Sequence, residues 1–504
     1  MKDLIELIQI LSKQKTYSIQ IIGENFNGDT KLEQLYNGIL NGEYMSDEEA
    51  AEQIYQSNSN GKAYKKLRTN LKKQLINTVF FIDRKSADFN EYQKAYYNTC
   101  KEWAAMKILL GREARVAAIM LAQKIIRQAK QFEFTEITLD TARILRMHYA
   151  VFEGDQSKAE QYDELVREQM LILEEEAKAE MLYEGLVLRY VNSKSTQTEI
   201  AEEAARAADA LRPVIEKHPT HRIGLCLYLI EVMRHMSIND YARTLEICQE
   251  AIAFFERKEY NAKVTLITFL YQQLACEIKL RNYAAGEQTA EKCLSMLSPG
   301  PTNWFRAMEL YFMLSLHSGQ YSKAFGLMQQ AMKNNRFQFQ AKTQIETWKI
   351  YEAFARALFE MDMVELDPKV RKPGKFRVGK FLNEVPIFSK DKSGMNIPII
   401  IIQLLFMLLH GKTDELIDRE ESIRRYCNRH LREEDTHRSD IFIKMLLLFP
   451  SCSFDKNLIL EKAAPMLEEL AALPLESASQ SFEIEIVPYE ALWELICNRQ
   501  EIFS

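Results

Sequence analysis

Turn-forming residues are scarce along this chain, and their scarcity constrains the fold more than any other feature. The 504 residues include 17 glycines and 12 prolines, whereas average usage would supply roughly 35 and 25. Sheet proteins need many tight turns, and tight turns draw on glycine and proline. The sequence therefore predicts long helices joined by short connections, that is, an all-α fold.

Turn residues recur between residues 91 and 360 at unequal steps, such as 42 residues from Tyr241 to Tyr283 and 38 residues from Tyr283 to Tyr321, so any repeats are degenerate. The clearest example begins at Gly319, which is followed by Tyr321, Ala324 and Ala331 at offsets of two, five and twelve residues. A glycine permits a sharp reversal, and small residues allow two helices to cross closely. These offsets resemble the glycine, aromatic and small-residue positions of the tetratricopeptide repeat.

Further positions extend this resemblance to about half of the chain. They are the bulky residues Trp304, Tyr311 and Leu314; Tyr283, Gly286 and Cys293, with Arg281 in place of the turn glycine; Tyr241 and Ala251, with Thr244 at a small-residue position; and Gly154 with Ala159. The resemblance implies a right-handed α-solenoid of antiparallel helical hairpins that binds a protein or peptide partner along an elongated face. It implies no active-site residues.

Changes in composition divide the chain into four predicted regions. Residues 1–90 form a helical unit with a basic helix, in which Ser46 and Glu49 have the spacing of a capping box. Residues 91–360 contain the repeats, and residues 361–396 are a basic loop or linker. Residues 397–504 form a helical cap that begins with a very apolar helix. That apolar stretch is too short to cross a bilayer, so no membrane association is predicted.

A first basic stretch lies within residues 61–85. Its cations are Lys62, Lys65, Lys66, Arg68, Lys72, Lys73, Arg84 and Lys85, against the single acid Asp83. With the preceding helix it is similar to a helix-turn-helix DNA reader, although the linker QSNSNG is longer than the usual tight turn. The nucleic-acid hypothesis assigns contacts to Tyr64, Lys65, Lys66, Arg68, Lys72 and Lys73. The alternative is a solvated face or a dock for an acidic protein.

A second basic stretch alternates with phenylalanines. The predicted partner-binding residues are Arg371, Lys372, Lys375, Arg377 and Lys380, interleaved with Phe376, Phe381 and Phe388. Aromatic and cationic side chains on an irregular loop can clasp a partner. The alternative is a loop laid over the helices, with its phenylalanines in grooves and its lysines in water.

The remaining features of the sequence do not predict a further binding site or a catalytic site. A third cationic cluster at residues 424–438 is interleaved with acids and is predicted to be a solvated face. The eight cysteines include no CxxC pair, which indicates reduced thiols in the cytoplasm. No catalytic, cofactor or metal motif is recognisable. We therefore expect a non-enzymatic scaffold or adaptor without cofactor or metal, with nucleic-acid binding as the alternative and homo-oligomerisation left open.

Overall fold

The computed structural model describes residues 1–13, 30–80, 90–191, 197–366, 374–386, 396–431, 436–473, 485–499 and 502. Within these ranges the chain forms 23 α-helices and no β-strand, which confirms the all-α fold class. The chain divides into two compact units. Unit 1 is Met1–Glu175 with Lys258–Ala262, and unit 2 is Glu176–Arg257 with Lys263–Ser504.

Unit 1 begins with four short helices that share a hydrophobic core. They are α1 (Lys2–Lys13), α2 (Lys31–Leu40), α3 (Asp47–Tyr55) and α4 (Lys62–Val79). The predicted capping box is present, because Ser46 Oγ accepts the amide of Glu49 while the Glu49 carboxylate accepts the amide of Ser46. This core contains buried apolar residues at every fourth position of α4, namely Leu67, Leu71 and Leu75.

The rest of unit 1 consists of longer helices. These are α5 (Glu91–Gly111), α6 (Arg115–Gln131), α7 (Thr135–Met147) and the first part of α8 (Gln156–Val191). A π-helical turn, His148–Glu153, separates α7 from α8. The boundary between the two units falls within α8.

Unit 2 continues with helices that pack against their neighbours in chain order. These are α9 (Gln197–Lys217), α10 (His221–Met236), α11 (Tyr241–Glu256), α12 (Lys263–Lys279), α13 (Tyr283–Ser295), α14 (Thr302–His317), α15 (Tyr321–Lys333) and α16 (Lys342–Glu360). The C-terminal helices are α17 (Val378–Glu384), α18 (Asn396–Leu409), α19 (Thr413–His430), α20 (His437–Leu446), α21 (Leu448–Ser451), α22 (Lys456–Ala472) and α23 (Tyr489–Cys497). The apolar α18 is buried along most of its length, as the sequence predicts. This sequential packing is compatible with a solenoid.

Six connections within the described ranges combine one backbone turn with a helix that begins two residues after it. At Gly319 the chain adopts φ +73°, the amide of Gly319 donates to the carbonyl of Leu316, and the amide of Gln320 donates to that of Ser315. This is the Schellman arrangement, which satisfies the free carbonyls at a helix end. The same arrangement occurs at Glu113, Glu133, Asn239, Arg281, Gly319 and Gly411, with φ between 57° and 73°. In each case the next helix begins two residues later.

Each of these turns is followed by a buried residue five positions later. The residues are Ala118, Thr138, Thr244, Gly286, Ala324 and Leu416. Ala324 and Ala331 are both fully buried, so the small residues predicted for α15 lie at its packed face. At Gly286 an added Cβ would lie 2.7 Å from Leu314 Cδ1, which explains why the smallest residue occupies this helix crossing.

Replacing Arg281 by glycine is expected to stabilise the protein by about 1 kcal/mol, because Arg281 holds a left-handed backbone that glycine adopts without a Cβ clash. The matched control is Arg257→Gly, at a helix end with φ −80°, where glycine gives no such relief and lowers stability. Urea unfolding of both variants measures the difference. Equal effects at the two positions would contradict this account.

Candidate interaction surfaces

One exposed face of α4 carries several cations. This helix contains no acidic residue, and Lys62, Lys65, Lys66 and Lys73 are all exposed. Thr69 and Asn70 lie between them, also exposed. A helix face of one charge with interspersed polar side chains can neutralise phosphates and hydrogen bond to a nucleic acid.

Three of the residues assigned to nucleic-acid contact have another role. Tyr64 is 1% exposed, and its hydroxyl donates to Asp47 Oδ1 at 2.7 Å. Arg68 donates to Asp47 at 2.9 Å and to Asp3 at 2.7 Å. Lys72 donates to Asp3 at 2.8 Å. The prediction that Tyr64 is a surface contact is wrong, because its ring completes the core of α1–α4, and Arg68 and Lys72 serve to join α4 to α1.

The pKa values in this network reflect its tight pairing. The hydrogen bond from Lys72 is the main cause that holds the pKa of Asp3 well below its usual range. Burial alone would raise the pKa of Asp47, but the N-terminal ammonium and Tyr64 donate to its carboxylate and lower it. Burial, followed by the bond to Asp47, raises the pKa of Tyr64. Lys62, Lys65, Lys66 and Lys73 thus remain as the accessible cations of the described part of this stretch, and Arg84 and Lys85 lie outside the described residues.

The second basic stretch lies against the helices of unit 2. Phe376 stacks on Phe406 with ring centroids 4.3 Å apart, and Phe381 is buried. The amide of Phe376 donates to Glu360 Oε1 at 2.8 Å. The described part of the span predicted to be a loop therefore contains a short helix, α17, and its phenylalanines are anchored as the structural alternative proposed.

The cations of this stretch point into solvent where they are described. Lys375, Arg377 and Lys380 are exposed, and Lys380 lies 3.6 Å from Glu384. Arg371, Lys372 and Phe388 lie outside the described residues. The described segment is accordingly a surface with three accessible cations held in place by buried rings.

A groove in unit 2 is formed by α11, α12 and α13. Its volume is about 420 Å³, within the range of roughly 300–1,000 Å³ that is common for ligand sites. Buried side chains form its floor, among them Ile252, Leu270, Glu277 and Thr289. Exposed side chains form its walls, among them Gln249, Ala253 and Gln288. The groove therefore combines an apolar floor, a buried carboxylate and polar walls.

The third cationic cluster is not uniformly solvated. Arg438 is 1% exposed, and its guanidinium lies against the carboxylates of Glu485 and Glu490. The prediction of a solvated face is therefore wrong for Arg438. The prediction holds for Arg425, whose side chain is 73% exposed and lies 3.5 Å from Glu421.

Several further properties bear on function. All eight cysteines are free thiols. Within the described ranges no group of three or more His, Cys, Asp or Glu side chains could hold a metal ion. None of the described helices combines the length and apolar character needed to span a bilayer. In comparisons with known proteins, no family model, no curated protein and no solved structure matches the chain.

Proposed function

We propose that this protein is a non-enzymatic helical-repeat scaffold of the cytoplasm that binds a protein partner. In this proposal residues 91–360 contain right-handed tetratricopeptide-like helical repeats, and residues 397–504 form a helical cap. The recurrent Schellman turn and the buried residue five positions after it support a repeating hairpin. Such repeats leave extended surfaces that suit polypeptide partners.

The observation that carries the proposal is the groove formed by α11–α13. Its glutamine walls offer both amide donors and carbonyl acceptors, which are the groups that an extended polypeptide backbone pairs with. Its apolar floor offers area to bury a side chain. The exposed cations Lys375, Arg377 and Lys380 supply a second surface for an acidic segment of a partner.

Site-specific photo-cross-linking in cells tests this proposal. A benzophenone amino acid in place of Gln288, which lines the groove, is expected to yield a discrete protein adduct. The matched control places the same amino acid at Ala284, which is exposed on the same helix and does not line the groove. Equal labelling at the two positions, or none at Gln288, would overturn the proposal.

The basic face of α4 supports a second candidate function, binding of a nucleic acid by unit 1. The specific observation is a helix with four exposed lysines and no acid. Charge neutralisation of phosphates would make such binding steeply dependent on salt. This property separates it from a surface that docks an acidic protein by a few pairwise contacts.

A further inference from the structure

One oxygen of a buried carboxylate in the groove lacks a partner. Glu277, on α12, is 1% exposed and lines the groove. Its Oε1 accepts hydrogen bonds from Gln273 Nε2 at 2.9 Å and from Thr289 Oγ1 at 3.1 Å. Its Oε2 has no hydrogen-bond partner among the described residues. An unsatisfied buried acceptor is costly, so it marks a position where a donor from outside would be stabilised.

Burial raises the pKa of the Glu277 carboxyl, and the bonds from Gln273 and Thr289 offset this increase only in part. The other charged side chains that line the groove pair with each other. Lys292, on α13, lies 2.9 Å from Glu256, on α11. Lys292, the cation in the groove lining, is therefore paired with Glu256 and not with Glu277. With Glu277 ionised, Glu256, Glu277 and Lys292 together carry a net charge of −1.

The geometry of the acceptor favours an ammonium over a guanidinium. An arginine fork binds best when both oxygens of a carboxylate are open. Here Oε1 already accepts two hydrogen bonds, and Oε2, which is buried, is the oxygen without a partner among the described residues. A lysine ammonium is a compact charge with three donors. It can donate one hydrogen bond to Oε2 and its other two to the side-chain carbonyls of Gln249 and Gln288 in the groove walls.

We propose that the groove formed by α11–α13 binds a lysine side chain of a partner polypeptide, with Oε2 of Glu277 accepting its ammonium group. The methylenes of the lysine lie on the apolar floor provided by Ile252 and Leu270. This inference rests on the proposed function, because it names the chemistry that the scaffold recognises in its partner.

Binding of fluorescent peptide pools to the full chain tests the proposal. Each pool has one fixed central residue, lysine, acetyl-lysine, arginine or norleucine, between randomised uncharged neighbours. The lysine pool is expected to bind at least tenfold more tightly than each of the others in fluorescence polarisation. An arginine or acetyl-lysine pool that binds equally well would overturn the proposal, since neither presents a compact ammonium.

Two variants connect this preference to Glu277. Glu277→Gln keeps the shape of the side chain and removes its charge, so the lysine pool should bind this variant no better than the norleucine pool. Ala253→Lys places a cation on the groove wall and is expected to block the lysine pool. Its matched control, Ala242→Lys, is exposed on the same helix but lies outside the groove lining, and it should bind normally. Normal binding by both groove variants would overturn the proposal.

A free polyamine carries the same kind of ammonium group as a lysine side chain. Competition with spermidine therefore distinguishes a small amine ligand from a polypeptide ligand. Spermidine that displaces the lysine pool at equal concentration would assign the site to a small amine and overturn the choice of a polypeptide. The cross-linking at Gln288 gives an independent result. If the adducts persist in the Glu277→Gln variant, the protein still binds a partner, and the proposal that Glu277 recognises a lysine is refuted.

Thermal unfolding gives a readout of the unpaired charge without a ligand. Because the pKa of Glu277 is higher in the folded state than in the unfolded one, its ionisation lowers stability as the pH rises above the unfolded value of roughly 4.3. Glu277→Gln removes this loss. The Tm of the variant should therefore exceed that of the native protein by a margin that grows between pH 4 and pH 7. A margin that is constant with pH would show that the carboxylate is already compensated, and it would overturn the proposal.

Discussion

Replacing Arg438 by methionine is expected to destabilise unit 2 by about 3–5 kcal/mol, because it leaves the buried carboxylate of Glu485 without its counter-ion. Arg438 Nε donates to Glu485 Oε2 at 2.8 Å and Nη2 donates to Oε1 at 2.8 Å. Glu485 is fully buried. Calorimetric or denaturant unfolding measures the loss.

Further bonds make this arginine hard to replace. Its Nη2 also donates to both oxygens of Glu490, at 2.9 and 3.0 Å. Its Nη1 donates to the carbonyls of Leu470 and Leu473. Arg438 thereby links α20 to the end of α22 and to the chain that enters α23. A methionine has no donor, so the Arg438→Met variant loses all of these bonds, and Oε1 of the fully buried Glu485 keeps only the amide of Tyr489.

Two further variants isolate the buried charge as the cause. Arg425→Met removes an exposed arginine of α19 and should cost less than about 1 kcal/mol. Adding Glu485→Gln to Arg438→Met removes the orphaned carboxylate and should restore part of the lost stability. A loss below about 1 kcal/mol for Arg438→Met alone would show that the interior tolerates the unpaired charge.

Reversing the four exposed lysines of α4 to glutamate is expected to abolish binding to duplex DNA, if unit 1 binds nucleic acid. The native protein should lose affinity about 100-fold between 50 and 200 mM salt, because four neutralised phosphates give a slope of roughly −3.6 in a log–log plot. The variant is Lys62, Lys65, Lys66 and Lys73 to Glu. Lys72 is left unchanged because its ion pair with Asp3 joins α4 to α1.

The control carries the same change in net charge at other exposed lysines. It replaces Lys130, Lys217, Lys333 and Lys342 by glutamate, all of which are exposed. This control should keep most of the native affinity. Native protein that is not retained on DNA at low salt would exclude the nucleic-acid function and leave the α4 face as a protein dock or a solvated surface.

The fold could be predicted from the sequence where local chemistry determines it. The capping box at Ser46, the turn at Gly319 and the apolar helix at residues 397–409 all depend on neighbours along the chain. The turns at Glu113 and Glu133 could not be predicted in this way. A glutamate in a left-handed conformation has no sequence signature, and here hydrogen bonds of the flanking backbone hold the turn.

The candidate sites were less predictable because they depend on distant partners. Tyr64 pairs with Asp47 across 17 residues, and Arg438 pairs with Glu485 across 47. A count of nearby charges therefore classified both residues as exposed. Glu277 did leave a signal, since it lies between the buried Cys276 and Ile278. That signal does not by itself identify a buried carboxylate, because Glu246 lies between Leu245 and Ile247 and its side chain is 61% exposed. It also does not show that one oxygen of Glu277 is unpaired.

The shared turn between helices has a consequence for how such a chain can change over time. Main-chain hydrogen bonds hold each turn, so the side chain at the left-handed position contributes little to its structure. This position is a glycine in one turn, Gly319, and an arginine in another, Arg281. Mutations can accumulate there at a cost of about 1 kcal/mol each without moving the helices. The same turn can therefore recur in the backbone where the sequence shows no common turn residue.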